Sequence, residues 1–280
     1  MKITVWGCRG SLPSPGPDTI KYGGNTTCLE IRLNDKTVII IDAGSGMRAL
    51  GDKLIKDPDL KEIYLFLTHT HWDHLMGFPF FAPCYSDRFR IHICGGATSI
   101  SSLKNFLEHR MEPPYFPVTF DVMKAHFDFS PDQENNYVIG TSEIFYIHLN
   151  HPNGGYGYKI IENNKSFVFL TDNELDFHHQ GGLAPEDYKA FSHAADLLLH
   201  DAQYTNEKYK NTKGWGHSTF DHATDLSIDA DAKRFGIFHH DPASTDADVD
   251  GFVSYCRERA AQKHAAVECF GTMEGMELIV

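Results

Sequence analysis

Ile63-Tyr64-Leu65-Phe66-Leu67-Thr68-His69-Thr70-His71-Trp72-Asp73-His74 is the stretch on which the reading of this chain turns. Its first five residues are an unbroken apolar run, the mark of a strand buried on both faces. The run passes directly into four ionisable side chains within six positions, His69, His71, Asp73 and His74. His69 and His71 are two apart, so they share a face while the chain stays extended. Asp73 and His74 are adjacent and point elsewhere, so one short turn can feed two neighbouring metal ions. Imidazole nitrogen and carboxylate oxygen suit zinc, manganese or iron, and the absence of cysteine from the run disfavours a thiolate zinc site.

Working outward, the same kind of ending recurs. The run Thr37-Val38-Ile39-Ile40-Ile41 ends at Asp42, a strand over 143–149 leads to His151, and one over 166–170 leads to Asp172. A strand over 196–200 delivers His200 and Asp201, and one over 235–238 ends at His239. If these ends share one edge, they form a single polar cluster on a rigid scaffold. A lone histidine is more often a surface or hydrogen-bonded residue than a ligand, and a structural hydrogen-bond network is the alternative reading. Clustered buried charges, however, need pairing or a metal, or they cost several kcal/mol each. The clustering, more than the count of 17 His, points to metal.

The remaining pattern predicts strands at 2–6, 26–33, 89–93 and 156–162, and a closing strand at 275–280. Helices are predicted from about 47 to 56, from Ser99 to His109, over 219–233 and over 247–264, with a short one starting in Leu75–Phe81. Residues 7–25 and the stretch after Glu174 read as loops, and 110–140 as irregular. This order suits an α/β chain of two sheets with outer helices, expected as one domain over 1–280.

The chain has 280 residues and a formal net charge of -13, from 25 Lys plus Arg against 38 Asp plus Glu. Long-range attraction to nucleic acid or an anionic membrane is therefore not expected, although bound metal would reverse the local field around a small phosphorylated substrate. Six cysteines, at 8, 28, 84, 94, 256 and 269, form no Cys-x-x-Cys pair, as expected of free thiols in the cytoplasm. The strand-like Lys2–Trp6 follows Met1 at once, and no apolar run approaches a membrane span, so neither signal peptide nor membrane anchoring is expected.

Thr68–His74 resembles the histidine motif of the metallo-beta-lactamase superfamily. Gly7-Cys8-Arg9-Gly10-Ser11, Gly24–Cys28, Gly216-His217-Ser218 and His239-His240-Asp241-Pro242 resemble its ribonuclease Z and PhnP-like phosphodiesterase branch. The resemblance runs from Gly7 to His240. It implies a four-layer αββα sandwich with the site at one edge between the sheets. It implies that His69, His71 and His151 bind a first divalent metal, that Asp73, His74 and His239 bind a second, and that Asp172 bridges both, with zinc expected and manganese or iron as alternatives. His151-Pro152-Asn153-Gly154-Gly155-Tyr156-Gly157-Tyr158 matches a family element that selects His151 over His148. Asp42 is expected behind a ligand histidine, fixing its tautomer.

The resemblance further implies hydrolysis by a metal-activated hydroxide, with Asp73, His217 and Asp201 as the catalytic set. His217 would stand near the scissile phosphate and Asp201 would orient it. The plain alternative is that His217 and Ser218 cap the helix that follows. His240 is expected to support the site or face substrate. Gly7–Ser11 lacks the Lys-Ser/Thr ending of a P-loop. Ribonuclease Z relatives carry a long inserted arm for RNA, and the span from Asp172 to His217 has no Gly- and Lys-rich insertion. The expected substrate is therefore a small phosphodiester, a cyclic nucleotide first, and no large nucleic acid. A lactonase or thioesterase-like hydrolase, or a non-catalytic metal-containing binding protein, are the rival readings. Arg9, Lys21 and Arg48 are expected near the mouth, and Trp72, Phe78, Tyr115 and Trp215 as stacking or packing aromatics. A homodimer is the expected assembly.

Overall fold

Val38-Ile39-Ile40-Ile41 is apolar at every position because both of its faces are covered. Ile39 and Ile41 join one core cluster while Val38 and Ile40 join another, as the two-residue period of a strand requires. The computed structural model describes residues 1–95, 103–105, 111–114, 116–129 and 136–280.

The first sheet contains β1 (Lys2–Gly7), β2 (Cys28–Arg32), β3 (Val38–Ile41), β4 (Glu62–Phe66), β5 (Arg90–Cys94), β6 (His126–Phe129) and β14 (Glu277–Ile279), in the order β14-β1-β2-β3-β4-β5-β6. The second contains β7 (Asn136–Ile139), β8 (Ser142–His148), β9 (Tyr156–Glu162), β10 (Lys165–Leu170), β11 (Leu197–Asp201), β12 (Arg234–Phe238) and β13 (Glu268–Gly271), in the order β13-β12-β11-β10-β9-β8-β7. Each sheet is antiparallel in one part and parallel in the other, with β3 to β6 and β10 to β13 as the parallel runs. Parallel strands bring their carboxyl ends to one edge, where α/β sheets bind ligands. β8 also ends there, because two antiparallel steps separate it from β10.

The faces between the sheets share one core, with Ile31, Ile39, Ile41 and Phe66 against Ile144, Ile160, Phe167, Phe169, Leu199 and Phe238. Helices cover the outer faces. α1 (Met47–Leu54) buries Met47, Leu50, Gly51 and Leu54, the spacing of one helical stripe, on the first sheet. α3 (Pro185–Ser192), α5 (Phe220–Asp229) and α6 (Asp246–Gln262) cover the second with Tyr188, Phe220, Ala223, Val249 and Val253. The result is the four-layer αββα sandwich of the metallo-beta-lactamase fold. α2 (Trp72–Leu75) and α4 (Asn206–Thr212) are short helices beside the site.

Several expectations are corrected. The irregular stretch contains β6 and, at its end, β7, the supposed loop after Glu174 contains α3, and α4 falls in a stretch after Asp201 that the sequence reading left unassigned. β13 had no counterpart in the sequence reading. Leu75 ends the short helix instead of starting it, and Phe78–Phe80 is a separate 3-10 turn. Of the helix expected over Ser99–His109, only residues 103–105 lie within the described residues, and they are helical.

Candidate metal centre

Three non-glycine residues that follow parallel strands adopt left-handed backbone: Asp42 at φ 62°, Asp172 at φ 54° and His239 at φ 58°. Asp, Asn and His enter this region more readily than other side chains. Each bend follows a parallel strand, and the three side chains meet around one edge of the sandwich.

The cluster is assembled through outward-facing hydrogen bonds that fix each ring. Asp42, fully buried, accepts from the Thr68 amide (2.8 Å), the Thr68 hydroxyl (2.7 Å) and His74 Nδ1 (2.8 Å). The Thr68 hydroxyl proton is thus committed, so its oxygen takes the Nδ1 proton of His69 at 3.1 Å. The Gly216 carbonyl takes that of His151 at 3.0 Å, and Gln203 Oε1 takes that of His239 at 2.9 Å. In all four rings Nδ1 carries the proton, and the Nε2 lone pair is left for the interior. Two glycines permit this close approach: a Cβ at Gly10 would lie 2.4 Å from His239 Nδ1, and one at Gly216 would lie 2.0 Å from His151 Nδ1.

Inside, His69, His71 and His151 form one triad, and Asp73, His74 and His239 another, with the ligand atoms of each group within 4.8 Å of one another. Asp172 stands between them. Its Oδ2 lies 3.3 Å from His74 Nε2 and 3.4 Å from His239 Nε2, and its Oδ1 lies 3.8 Å from His69 Nε2 and 3.9 Å from His151 Nε2. Asp73 Oδ2 accepts from the Ser11 amide at 2.8 Å and faces His239 Nε2 at 3.1 Å. His71 Nδ1 faces His151 Nε2 at 3.1 Å.

The fit to metal can be tested on these contacts. The Nε2 atoms of His69 and His74 and Nδ1 of His217 are buried without a hydrogen-bond partner, and such atoms ordinarily have one. Two unprotonated nitrogens 3.1 Å apart repel unless a proton or a shared cation lies between them. Burial pushes His69, His71 and His151 below the ordinary imidazole range, His151 to about 3, so their lone pairs are free at neutral pH. Burial alone would lower His74 too, but Asp73, Asp172 and Asp42 hold it well above its ordinary value. Burial would likewise raise Asp73 and Asp172, and the surrounding imidazoles hold both well below the carboxylate range. The carboxylates that favour charge at His74 favour a cation beside it equally, and the donor set suits divalent metal.

His217 and Asp201 lie beside this cluster. His217 Nδ1 is 3.7 Å from both Asp172 Oδ1 and Asp201 Oδ2, an ion-pair distance and not a hydrogen bond. Burial opposes its charge, but the facing carboxylates hold it above the ordinary imidazole value. The Asp201 oxygens are occupied by the amides of Asn173 and Ser218, each at 2.8 Å. Helix capping falls to Thr219, which accepts from His222, while the Ser218 hydroxyl donates to the Asn173 carbonyl.

Other expectations are redirected. Arg9 is fully buried, and its guanidinium is spent on the carbonyls of Gly23, Asp241 and Ser244. Lys21 pairs with Asp250 and Arg48 with Asp52, so no contact ties either to the cluster. His240 is buried and donates to the Thr272 carbonyl. Phe78 is core, Trp72 and Trp215 are both 62% exposed, and Tyr115 lies outside the described residues. His148, set aside by the sequence reading, lines a cleft of about 330 Å³ with His69, His71, Asn153 and Tyr156. Thr68, Gln203 and the Ser11 amide were not foreseen. Period-two spacing from Asp201 was the available signal for Gln203.

A family model described as a beta-lactamase superfamily domain matches residues 37–240. A ribonuclease Z of Picrophilus torridus is 23% identical over 89% of this chain and 88% of its own. Among solved structures, yeast PDE1 aligns with a TM-score of 0.70 at 15% identity, covering 100% of this chain and 99% of its own. A diphosphatase from the PhnP family aligns at 0.68 with 16% identity, covering 100% and 97%.

Proposed function

The chain belongs to the beta-lactamase superfamily, and from that premise and the geometry of its site we propose that it is a dinuclear metal-dependent phosphodiesterase acting on a small phosphodiester, with cyclic nucleotides as the first class to try. The observation that carries this reading is the inward convergence of Nε2 lone pairs and carboxylates, with buried nitrogens left unpartnered. His69, His71 and His151 would hold one ion, Asp73, His74 and His239 the other, with Asp172 between them. Zinc suits the donors best, and manganese and iron are compatible. Two divalent ions there would supply an acidified water for attack on phosphorus and positive charge against the phosphoryl oxygens.

The chain's own residues do the rest. Asp201, fixed by two backbone amides, favours the charged form of His217. His217 then holds a proton for the departing alkoxide. Thr68, Asp42, Gln203 and Gly216 keep the ligand rings in one tautomer.

The cleft beside His69 and His71 is at the lower end of small-ligand pockets, and the net charge of -13 disfavours a polyanion. Between Asp172 and His217 the chain is taken up by α3, β11 and α4, which bury Tyr188 and Tyr209 in the body of the fold. RNA cleavage is the second reading, favoured by relatives named ribonuclease Z over most of the chain.

The test is hydrolysis of bis-p-nitrophenyl phosphate, of 2′,3′- and 3′,5′-cyclic nucleotides, of a structured RNA, and of lactone and thioester panels, by protein of counted metal content. Turnover of small diesters with about two metals per chain supports the proposal. Activity on RNA alone would replace it with the second reading, and activity confined to lactones or thioesters would overturn the phosphodiesterase class. The role of His217 is checked by His217→Ala, which should keep both metals and lose roughly 10²–10⁴ in turnover. Undiminished turnover would remove His217 from the mechanism.

A further inference from the structure

Glu174 is fully buried, and its carboxylate accepts four hydrogen bonds. Oε1 takes the Tyr209 hydroxyl and the Gly214 amide, each at 2.7 Å, and Oε2 takes the Gly216 amide at 2.7 Å and His179 Nε2 at 2.8 Å. The two glycines flank Trp215 and are both left-handed, at φ 87° and φ 94°. The carboxylate therefore pins a turn that glycine alone adopts without strain. That turn does two things. The Gly216 carbonyl receives the Nδ1 proton of His151, and the next residue is His217. The backbone of Glu174 also holds Asn150, the residue before His151: its amide donates to the Asn150 carbonyl at 2.9 Å, and its carbonyl receives Asn150 Nδ2 at 2.6 Å.

We infer that Glu174 is a positioning residue that couples the two sides of the site, setting the tautomer of His151 and the place of His217 through the Gly214–Gly216 turn. This rests on the proposed metal role of His151. A carboxylate is needed because all four partners are donors. Whichever way a glutamine amide turns at this position, its NH2 meets one of the two glycine amides.

The experiment compares wild type with Glu174→Gln by zinc titration of the metal-free protein against a chromophoric chelator, by trypsin cleavage mapped by mass, and by kinetics on bis-p-nitrophenyl phosphate. Loss of an outer partner of a ligand histidine typically costs 10–100-fold in metal affinity. One of the two zinc-binding steps should weaken by that factor while the other stays within about twofold. Cleavage after Lys213, at the head of the turn, should rise at least about tenfold with other sites unchanged, and kcat should fall more than KM rises. Should Glu174→Gln fail to fold, Tyr209→Phe removes one donor and should give the same pattern at about three- to tenfold. Equal weakening of both steps with cleavage throughout the chain would reduce Glu174 to a stability residue, and unchanged zinc binding and cleavage would overturn the inference. A wild-type protein that takes up no zinc would defeat the metal reading instead, and the Lys213 cleavage would then judge the turn by itself.

Discussion

Asp42→Asn should loosen both metals at once. Its carboxylate takes three donors, two from Thr68 and one from His74 Nδ1. In the asparagine variant the oxygen can keep the Thr68 amide, but the NH2 group faces His74 Nδ1 and the Thr68 hydroxyl. Two donors cannot face each other, so His74 is driven to its other tautomer, with a proton on Nε2 where a lone pair is required. The Thr68 hydroxyl must also turn, and it is the acceptor for His69 Nδ1 at 3.1 Å. One substitution thus reaches a proposed ligand in each triad. At 10–100-fold per disturbed histidine, the loss is about 1.4–2.7 kcal/mol at each site. The backbone does not object, since asparagine tolerates the φ of 62°. The assay is zinc titration of metal-free wild type, Asp42→Asn and Thr68→Val against a chelator. Thr68→Val should weaken chiefly the step that uses His69. Wild-type affinity at both steps in Asp42→Asn would refute the tautomer argument.

Asp172→Asn should fold normally yet hold far less metal, since Asp172 faces histidines of both triads; elemental analysis and circular dichroism check the two halves of that statement. Stripping metal with a chelator should abolish hydrolysis and lower thermal stability. Restoring metal at 100-fold excess over its Kd should return about 2.7 kcal/mol, on the order of 5–10 °C by calorimetry. Asp196 supplies a pH test away from the site. Burial would raise its pKa, but Lys233, Lys165 and the Ser166 amide lower it from 3.8 to about 2. A depressed folded-state pKa stabilises above the unfolded value and is lost as pH falls through the folded one. Asp196→Asn should therefore cost about 1–2 kcal/mol at pH 7, discounted for the exposed lysines, with the gap to wild type closing as pH falls from about 4 toward 2 in urea titrations.

Much of this site was legible because strand-end residues of parallel strands must share an edge. Asp42, Asp172, Asp201 and His239 could be read from the apolar runs before them, and His69 to His74 from density alone. Hydrogen-bond partners were harder. Gly216 acts through its carbonyl and Ser11 through its amide, and no residue type signals a backbone group. Glu174 looked like one more acid in a polar stretch, because its meaning lies in residues 35 to 42 positions away. Arg9 misled for the opposite reason: its charge suggested an anion, whereas its planar donors serve three carbonyls. α3 escaped notice because only Tyr188 and Ser192 are buried along it, too few to print a helical period. In β13, Glu268-Cys269-Phe270-Gly271 is short and ends in glycine.

The left-handed bends at Asp42, Asp172 and His239 bear on how such a chain can decay over generations. At most buried positions a random replacement is removed because it unfolds the protein. At these three the backbone itself welcomes asparagine and glycine. Asparagine lies one base change from either an aspartate or a histidine codon, and glycine one from aspartate. If these residues hold or orient metal as proposed, mutational drift there runs toward well-folded chains without chemistry, so the positions where the proposed reaction is most easily lost are those where the chain sacrifices least of its architecture.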